Sequence, residues 1–233
     1  MTRPGIAACS RPVIDLSLWS ADLAALGHEV RRMSPLVDSF HIDVSDTRFT
    51  PGLVFGPDLV AAVRPYSTLP FHIHLMTADP AALVEPFAQA GADAITVHAE
   101  TGNHEAAEAI QAIRSCGKSA GVALRVDTDP RAAMAFLGDA DRIVMVGTPL
   151  GTKGSELVPG AVTRLRTLRR LLDTAAGTAN VTILADGGIR QDTISPLLAA
   201  GADGVVAGSL LFASRDPAAT AAWVHGLGRE AGS

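Results

Sequence analysis

The chain has 233 residues, 48% of them hydrophobic and 18% charged, with 22 glycines, 14 prolines and a formal net charge of -5. That length suffices for one large buried core, and scattered lysine and arginine under a negative balance offer no basic face to nucleic acid. Cys9 and Cys116 match no metal or redox spacing, no run is apolar and long enough to span a membrane, and the N-terminal stretch lacks a signal-peptide core, so the chain reads as a cytoplasmic, soluble protein with neither nucleic acid nor membrane as partner.

Residues 1–12 read as an N-terminal extension that covers one end of the fold or sits loose, and residues 13–233 as one domain. Apolar, β-rich runs then recur: VIDLSL (13–18), FHIDV (40–44), PFHIHLM (70–76), AITVHA (94–99), GVALRV (121–126), RIVMVG (142–147), VTILA (181–185) and GVVAG (204–208). Stretches with helical periodicity separate many of them, among them 21–34, 57–65, 79–91, 103–117 and 159–173, several opened by Asp, Asn or Pro and closed near Gly. Strand and helix in alternation demand a parallel sheet, because parallel neighbours need a crossover. Eight such units in this length fit a single-domain α/β (β/α)8 TIM barrel; an open doubly wound sheet is the alternative.

Side chains two apart on a strand share a face. His41 and Asp43 therefore point one way and Ile42 and Val44 the other; His72 and His74 repeat the arrangement, and Asp186 follows the seventh run. Helices cover the outside of such a barrel, which sends the polar pairs inward. Buried ionisable groups are costly unless paired or metal-bound. His41, Asp43, His74 and Asp186 make an N2O2 set suited to Zn2+, with Mn2+, Fe2+ or Co2+ as alternatives. Taken singly, each could be a satisfied core histidine or a helix-capping aspartate; their convergence at the ends of three strands favours a metal. His72, one layer deeper, and His98 read as core or supporting residues.

Gly187 and Gly188 follow the seventh run, and Gly208 and Ser209 follow the eighth at the start of a short helix. Glycines there let backbone N–H groups cradle a phosphate, although ordinary tight turns would look the same. A metal at one end and a phosphate at the other describe a small sugar phosphate.

The chain resembles the ribulose-phosphate 3-epimerase family. The likeness runs through LSLWSADLAALGHEV (16–30), HIDVSDTRFTPGLVFGP (41–57), HLMTADP (74–80), AGADAITVHAE (90–100), GVAL (121–124), DGGI (186–189) and AGADGVVAGSLLF (200–212). The resemblance implies that His41, Asp43, His74 and Asp186 hold the metal and that Asp43 and Asp186 act as acid and base. It also implies that Ser17 and Met76 contact substrate, and that the protein forms homo-oligomers. The implied reaction inverts C3 of a ketose phosphate through an enediolate, by default between D-ribulose 5-phosphate and D-xylulose 5-phosphate. Two carboxylates are needed because the proton leaves one face and returns to the other, while the metal stabilises the enediolate charge.

Departures cluster around the carbon chain of the substrate. Ser45, Asp46 and Thr47 replace the family's Met-Asp-Gly, Val146 replaces a methionine, and Arg125, read as part of the fifth strand, replaces an asparagine. Pro149 to Ser155 replace the family's Asn-Pro-Gly-Phe-Gly-Gly-Gln; on that glycine-hinged lid Gly151 meets substrate and Lys153 folds over the anion, or Lys153 is simply solvated. These changes suggest a different ketose phosphate, a tetrulose 4-phosphate or a ketohexose 6-phosphate such as allulose 6-phosphate. A decarboxylase is disfavoured by the lack of an Asp-x-Lys pair, and an aldolase by the lack of a Schiff-base lysine. A non-catalytic phosphosugar-binding barrel is the remaining alternative.

Overall fold

A computed structural model of the protein describes residues 11–175, 177, 178 and 180–228. Most of the expected N-terminal extension, with Cys9, lies outside the described residues. Eight strands follow one another: β1 (Val13–Ser17), β2 (Ser39–Ser45), β3 (Phe71–Met76), β4 (Ala94–His98), β5 (Ser119–Leu124), β6 (Arg142–Val146), β7 (Thr182–Asp186) and β8 (Gly204–Ala207). Each pairs in parallel with the next, and β8 closes on β1 in the register Val13↔Gly204 to Leu16↔Ala207. The closed cylinder excludes the open doubly wound sheet.

The helices are α1 (Leu26–Met33), α2 (Pro57–Val63), α3 (Ala81–Ala90), α4 (Asn103–Ser115), α5 (Ala161–Thr174), α6 (Ile194–Ala199), α7 (Ser209–Phe212) and α8 (Pro217–Gly226). Proline at the first position opens α2 and α8, where its missing N–H costs nothing. The crossover between β5 and β6 is a 3-10 helix, Pro130–Phe136, capped by the Asp129 side chain. The fifth expected run also shifts: β5 ends at Leu124, so Arg125 lies just beyond the strand and not within it. Among the described residues no helix is long and apolar enough to cross a membrane.

Period two divides the strands into an outer and an inner face. Outward residues such as Ile14, Leu16, Phe40, Ile42, Phe71, Ile73 and Ile95 are fully buried beneath Val30, Met33, Val60, Phe87 and Ile113 of the helices. Each such side chain contributes roughly 1.5 to 3 kcal/mol of hydrophobic stabilisation. The lumen itself is divided. Ala123, Val144, Val146, Leu184 and Val206 form an apolar cluster along β5 to β8, joined by Val13. Asp15, Ser39, His41, Asp43, His72, His74, Thr96 and His98 fill the side made by β1 to β4. Arg142 enters the floor from β6 past Gly121, where an added Cβ would lie 2.5 Å from its Cγ.

Candidate active site

The register Asp43↔His74 places the ends of β2 and β3 side by side, and Asp186, the last residue of β7, reaches His74 from another part of the barrel. One ligand atom each of His41, Asp43, His74 and Asp186 lies within 4.8 Å of the others. His41 Nε2 is 3.2 Å and His74 Nδ1 3.3 Å from Asp43 Oδ1, and His74 Nδ1 is 3.7 Å from Asp186 Oδ2. Ser17 Oγ donates to Asp43 Oδ2 at 3.0 Å.

Two further carboxylates stand behind the histidines. Asp15, fully buried on β1, accepts from Ser39 Oγ at 2.6 Å, His41 Nδ1 at 3.0 Å and His72 Nδ1 at 2.6 Å. His72 Nε2 meets Thr96 Oγ1 at 2.7 Å. On the other flank His74 Nε2 faces His98 Nε2 at 2.9 Å, and His98 Nδ1 donates to Glu100 Oε2 at 2.8 Å. Glu100 also accepts from the Arg125 amide at 2.8 Å and from Thr128 Oγ1.

Burial and neighbouring charge compete at every one of these groups. Burial works against an ionised Asp43, but the His41 charge and hydrogen bonds from His41 and His74 outweigh it and hold the carboxyl well below its ordinary value. Asp186 moves the other way, raised by burial and, against the pull of His41, by the Asp43 charge. Burial opposes an imidazolium at His41, yet the Asp43 charge and bonds to Asp15 and Asp43 prevail and raise it. Burial lowers His72 to about 3 and His98 to about 4, leaving both neutral. Burial pushes Glu100 up, but hydrogen bonds from His98, Thr128 and Arg125 bring it down to about 2.

The donor set fits a divalent cation. His74 Nδ1 is a buried nitrogen without a hydrogen-bond partner, and it is aimed at the carboxylates of Asp43 and Asp186. Two nitrogens and two oxygens are the chemistry of a first-row metal site.

Above this set opens a cavity of about 450 Å³, lined by Asp43, His74, Asp186 and the expected substrate residues Ser17, Met76, Gly151, Lys153, Gly187, Gly188, Gly208 and Ser209. His41 lies beneath it. Gly188 has φ +68°, and a Cβ there would come within 2.7 Å of the Leu157 amide nitrogen, so only glycine lets the β7 turn pass under the lid. The lid, 147–157, is fastened at several points. Gly151, at φ +75°, sits so close to Thr50 and Pro51 that a Cβ would lie 2.6 Å from the Pro51 carbonyl oxygen. Arg190 donates to the Gly154 carbonyl at 2.8 Å and the Ser155 carbonyl at 3.4 Å, and Lys153 Nζ stands 5.2 Å from the Trp19 ring centroid.

Asp15, Glu100 and Arg190 were not singled out from sequence. Asp15 shares the inward face of Val13 and Ser17 and so had a signal in period two, whereas Glu100 lies beyond β4 in the 3-10 turn Ala99–Thr101, where that period does not apply. Arg190 had none, because its partners depend on how the lid folds.

A sequence model of the Ribulose-phosphate 3 epimerase family matches residues 13–212. The ribulose-phosphate 3-epimerase of Bacillus subtilis (strain 168) is 35% identical over 201 residues, covering 86% of this chain and 92% of that protein. The enzyme of the same name from Mycobacterium tuberculosis (strain ATCC 25618 / H37Rv) is 32% identical, covering 95% and 94%. Among solved structures, 3-hexulose-6-phosphate synthase from Salmonella typhimurium superposes with a TM-score of 0.68 at 21% identity, covering 92% of this chain and 97% of that one. Orotidine 5'-phosphate decarboxylase from Pyrococcus horikoshii OT3 gives 0.66 at 16%, covering 92% and 98%, a likeness of fold alone. With its barrel, its clustered carboxylates and histidines, and these relatives, the chain belongs to the ribulose-phosphate 3-epimerase family, carbohydrate epimerases of the isomerase class.

Proposed function

We propose that the protein is a metal-dependent epimerase that inverts C3 of a ketose phosphate through an enediolate, with D-ribulose 5-phosphate and D-xylulose 5-phosphate the default pair. The observation that carries this reading is the convergence of Asp43 and Asp186, from the non-adjacent strands β2 and β7, on one cavity beside His74. A carbon flanked by two carboxylates can lose its proton to one and regain a proton from the other on the opposite face.

His41, Asp43, His74 and Asp186 would hold a divalent ion, which when bound supplies a Lewis acid for the negative charge that develops on the substrate oxygens. Ser17, through its bond to Asp43 Oδ2, fixes the orientation of that carboxylate. Met76 and Val146 present apolar surface beside the reacting carbons and exclude water. The phosphate lies against the backbone N–H groups of Gly187, Gly188, Gly208 and Ser209, with Lys153 over it from the lid.

A second reading, a different ketose phosphate such as a tetrulose 4-phosphate or allulose 6-phosphate, is favoured by Lys153, Trp19 and Val146 around the cavity. Incubation of the enzyme with ketose phosphates in heavy water separates the readings. The default pair predicts deuterium at C3 of ribulose 5-phosphate, abolished by a chelator. Faster exchange into another ketose phosphate by tenfold or more would shift the substrate, and no exchange into any of them would leave a phosphosugar-binding barrel. Asp43→Asn and Asp186→Asn are each expected to reduce exchange by about 10²- to 10⁴-fold.

A further inference from the structure

We infer that Asp15 and Glu100 are positioning residues that set which ring nitrogen of each metal-facing histidine is free to bind, Asp15 acting directly on His41 and Glu100 acting through His98 on His74. The inference deepens the metal-dependent reading above and rests on it for its purpose, though not for its geometry.

A carboxylate only accepts hydrogen bonds, so a ring nitrogen hydrogen-bonded to one carries a proton, and a neutral imidazole has only one proton to place. Glu100 Oε2 faces His98 Nδ1 at 2.8 Å, so Nδ1 of His98 is the protonated nitrogen and its Nε2 is a lone pair. That lone pair faces His74 Nε2 at 2.9 Å, a distance that requires a proton between them, and the proton must come from His74. His74 Nδ1 is thereby left bare, and it is this nitrogen that points at Asp43 and Asp186 without a hydrogen-bond partner. Glu100 is itself held in place, since its other oxygen accepts from the Arg125 amide and Thr128.

Asp15 does the same for His41 by a shorter route. Its Oδ2 holds the proton of His41 Nδ1 at 3.0 Å, so the nitrogen left to give up its proton to a metal is Nε2, which faces Asp43 Oδ1 at 3.2 Å. Asp15 cannot swing away, because His72 Nδ1 donates to the same oxygen and Ser39 Oγ to the other. His72 in turn is closed by Thr96 on its far side. The two histidines thus offer opposite nitrogens, Nε2 from His41 and Nδ1 from His74, and each choice traces to an acid outside the cavity lining, Asp15 fully buried and Glu100 half-buried. Such outer hydrogen bonds orient a ligand ring and raise its basicity, and losing one typically weakens metal binding about 10- to 100-fold.

The test uses full-length protein with 15N-labelled histidine. In the metal-free wild type, NMR is expected to find the His74 proton on Nε2. In the 113Cd-loaded wild type, cadmium coupling is expected to Nδ1 of His74 and Nε2 of His41. Glu100→Ala should mix the His74 tautomers, and Asp15→Ala and Glu100→Ala should each weaken zinc binding about 10- to 100-fold. Asp15→Asn, whose amide oxygen can still accept from His41 and His72 while its NH2 meets the Ser39 hydroxyl, should recover most of that loss. Glu100→Gln, with one acceptor oxygen in place of two, should recover part of it, and unchanged circular dichroism of both should show that the fold is intact. A His74 proton found on Nδ1 in the metal-free wild type, or wild-type zinc affinity in both alanine variants, would overturn the inference. Failure of the wild type to bind any divalent ion would instead sink the metal-dependent reading, while the His74 tautomer would still be decided by the metal-free spectrum.

Discussion

Glu100 illustrates how a single side chain links stability to pH. Its carboxyl falls to about 2 from an ordinary 4.5, so the folded state prefers it ionised more strongly than the unfolded chain does. The stabilisation is present above pH 4.5 and is lost as pH falls toward 2; after allowance for partial exposure it amounts to about 1 to 3 kcal/mol. Urea unfolding of the metal-free protein should therefore show wild type more stable than Glu100→Gln at pH 6, with the gap closing below pH 4.5. A gap that persisted unchanged to pH 3 would contradict the assignment. The sequence made His41, Asp43, His74 and Asp186 legible because period two on short strands dictates which side chains point inward. It did not disclose that Asp15 reaches His72 or that His98 reaches His74. Those contacts depend on how neighbouring strands are staggered, and stagger is set by closure of the whole sheet.

At the level of elements, the local geometry of the lid restricts substitution at Gly151. Gly151→Ala would force a side chain into a left-handed backbone conformation, costing about 1 kcal/mol, and would drive its Cβ against the Pro51 carbonyl at 2.6 Å. The expected outcome in steady-state kinetics is a KM raised several-fold with a smaller change in kcat; an unaltered KM would mean that this loop does not touch substrate. Lys153→Ala tests its neighbour in the same way, with a raised KM expected for phosphorylated substrates. Strand boundaries were readable to within two residues, and the largest shift is at β5, read as 121–126 and observed as Ser119–Leu124, where the Arg125 amide leaves the sheet to donate to Glu100.

For the molecule as a whole, closure removes every exposed sheet edge, and the apolar layer between strands and helices supplies the cohesion. Phe71 is fully buried in that layer, edge-on to Phe40 at 5.7 Å, with the Arg64 guanidinium 3.8 Å above its ring. Phe71→Ala should lower unfolding stability by about 3 to 5 kcal/mol, measured by chemical denaturation. A loss under 1 kcal/mol would show that the surrounding helices collapse onto the gap. Eight strand-helix units were countable along the chain, which is why the barrel was foreseeable; the unequal partition of the lumen was not, because it appears only when inward residues from distant strands meet.

That partition bears on how such a protein could change its substrate. The acids and imidazoles are anchored from underneath by groups that never see the sugar, whereas the segment arching over the opening is tied down by a handful of contacts of its own. Replacing residues 147–157 with a differently shaped loop would leave the anchoring intact, so new specificity could be acquired by exchanging the roof without rebuilding the foundations.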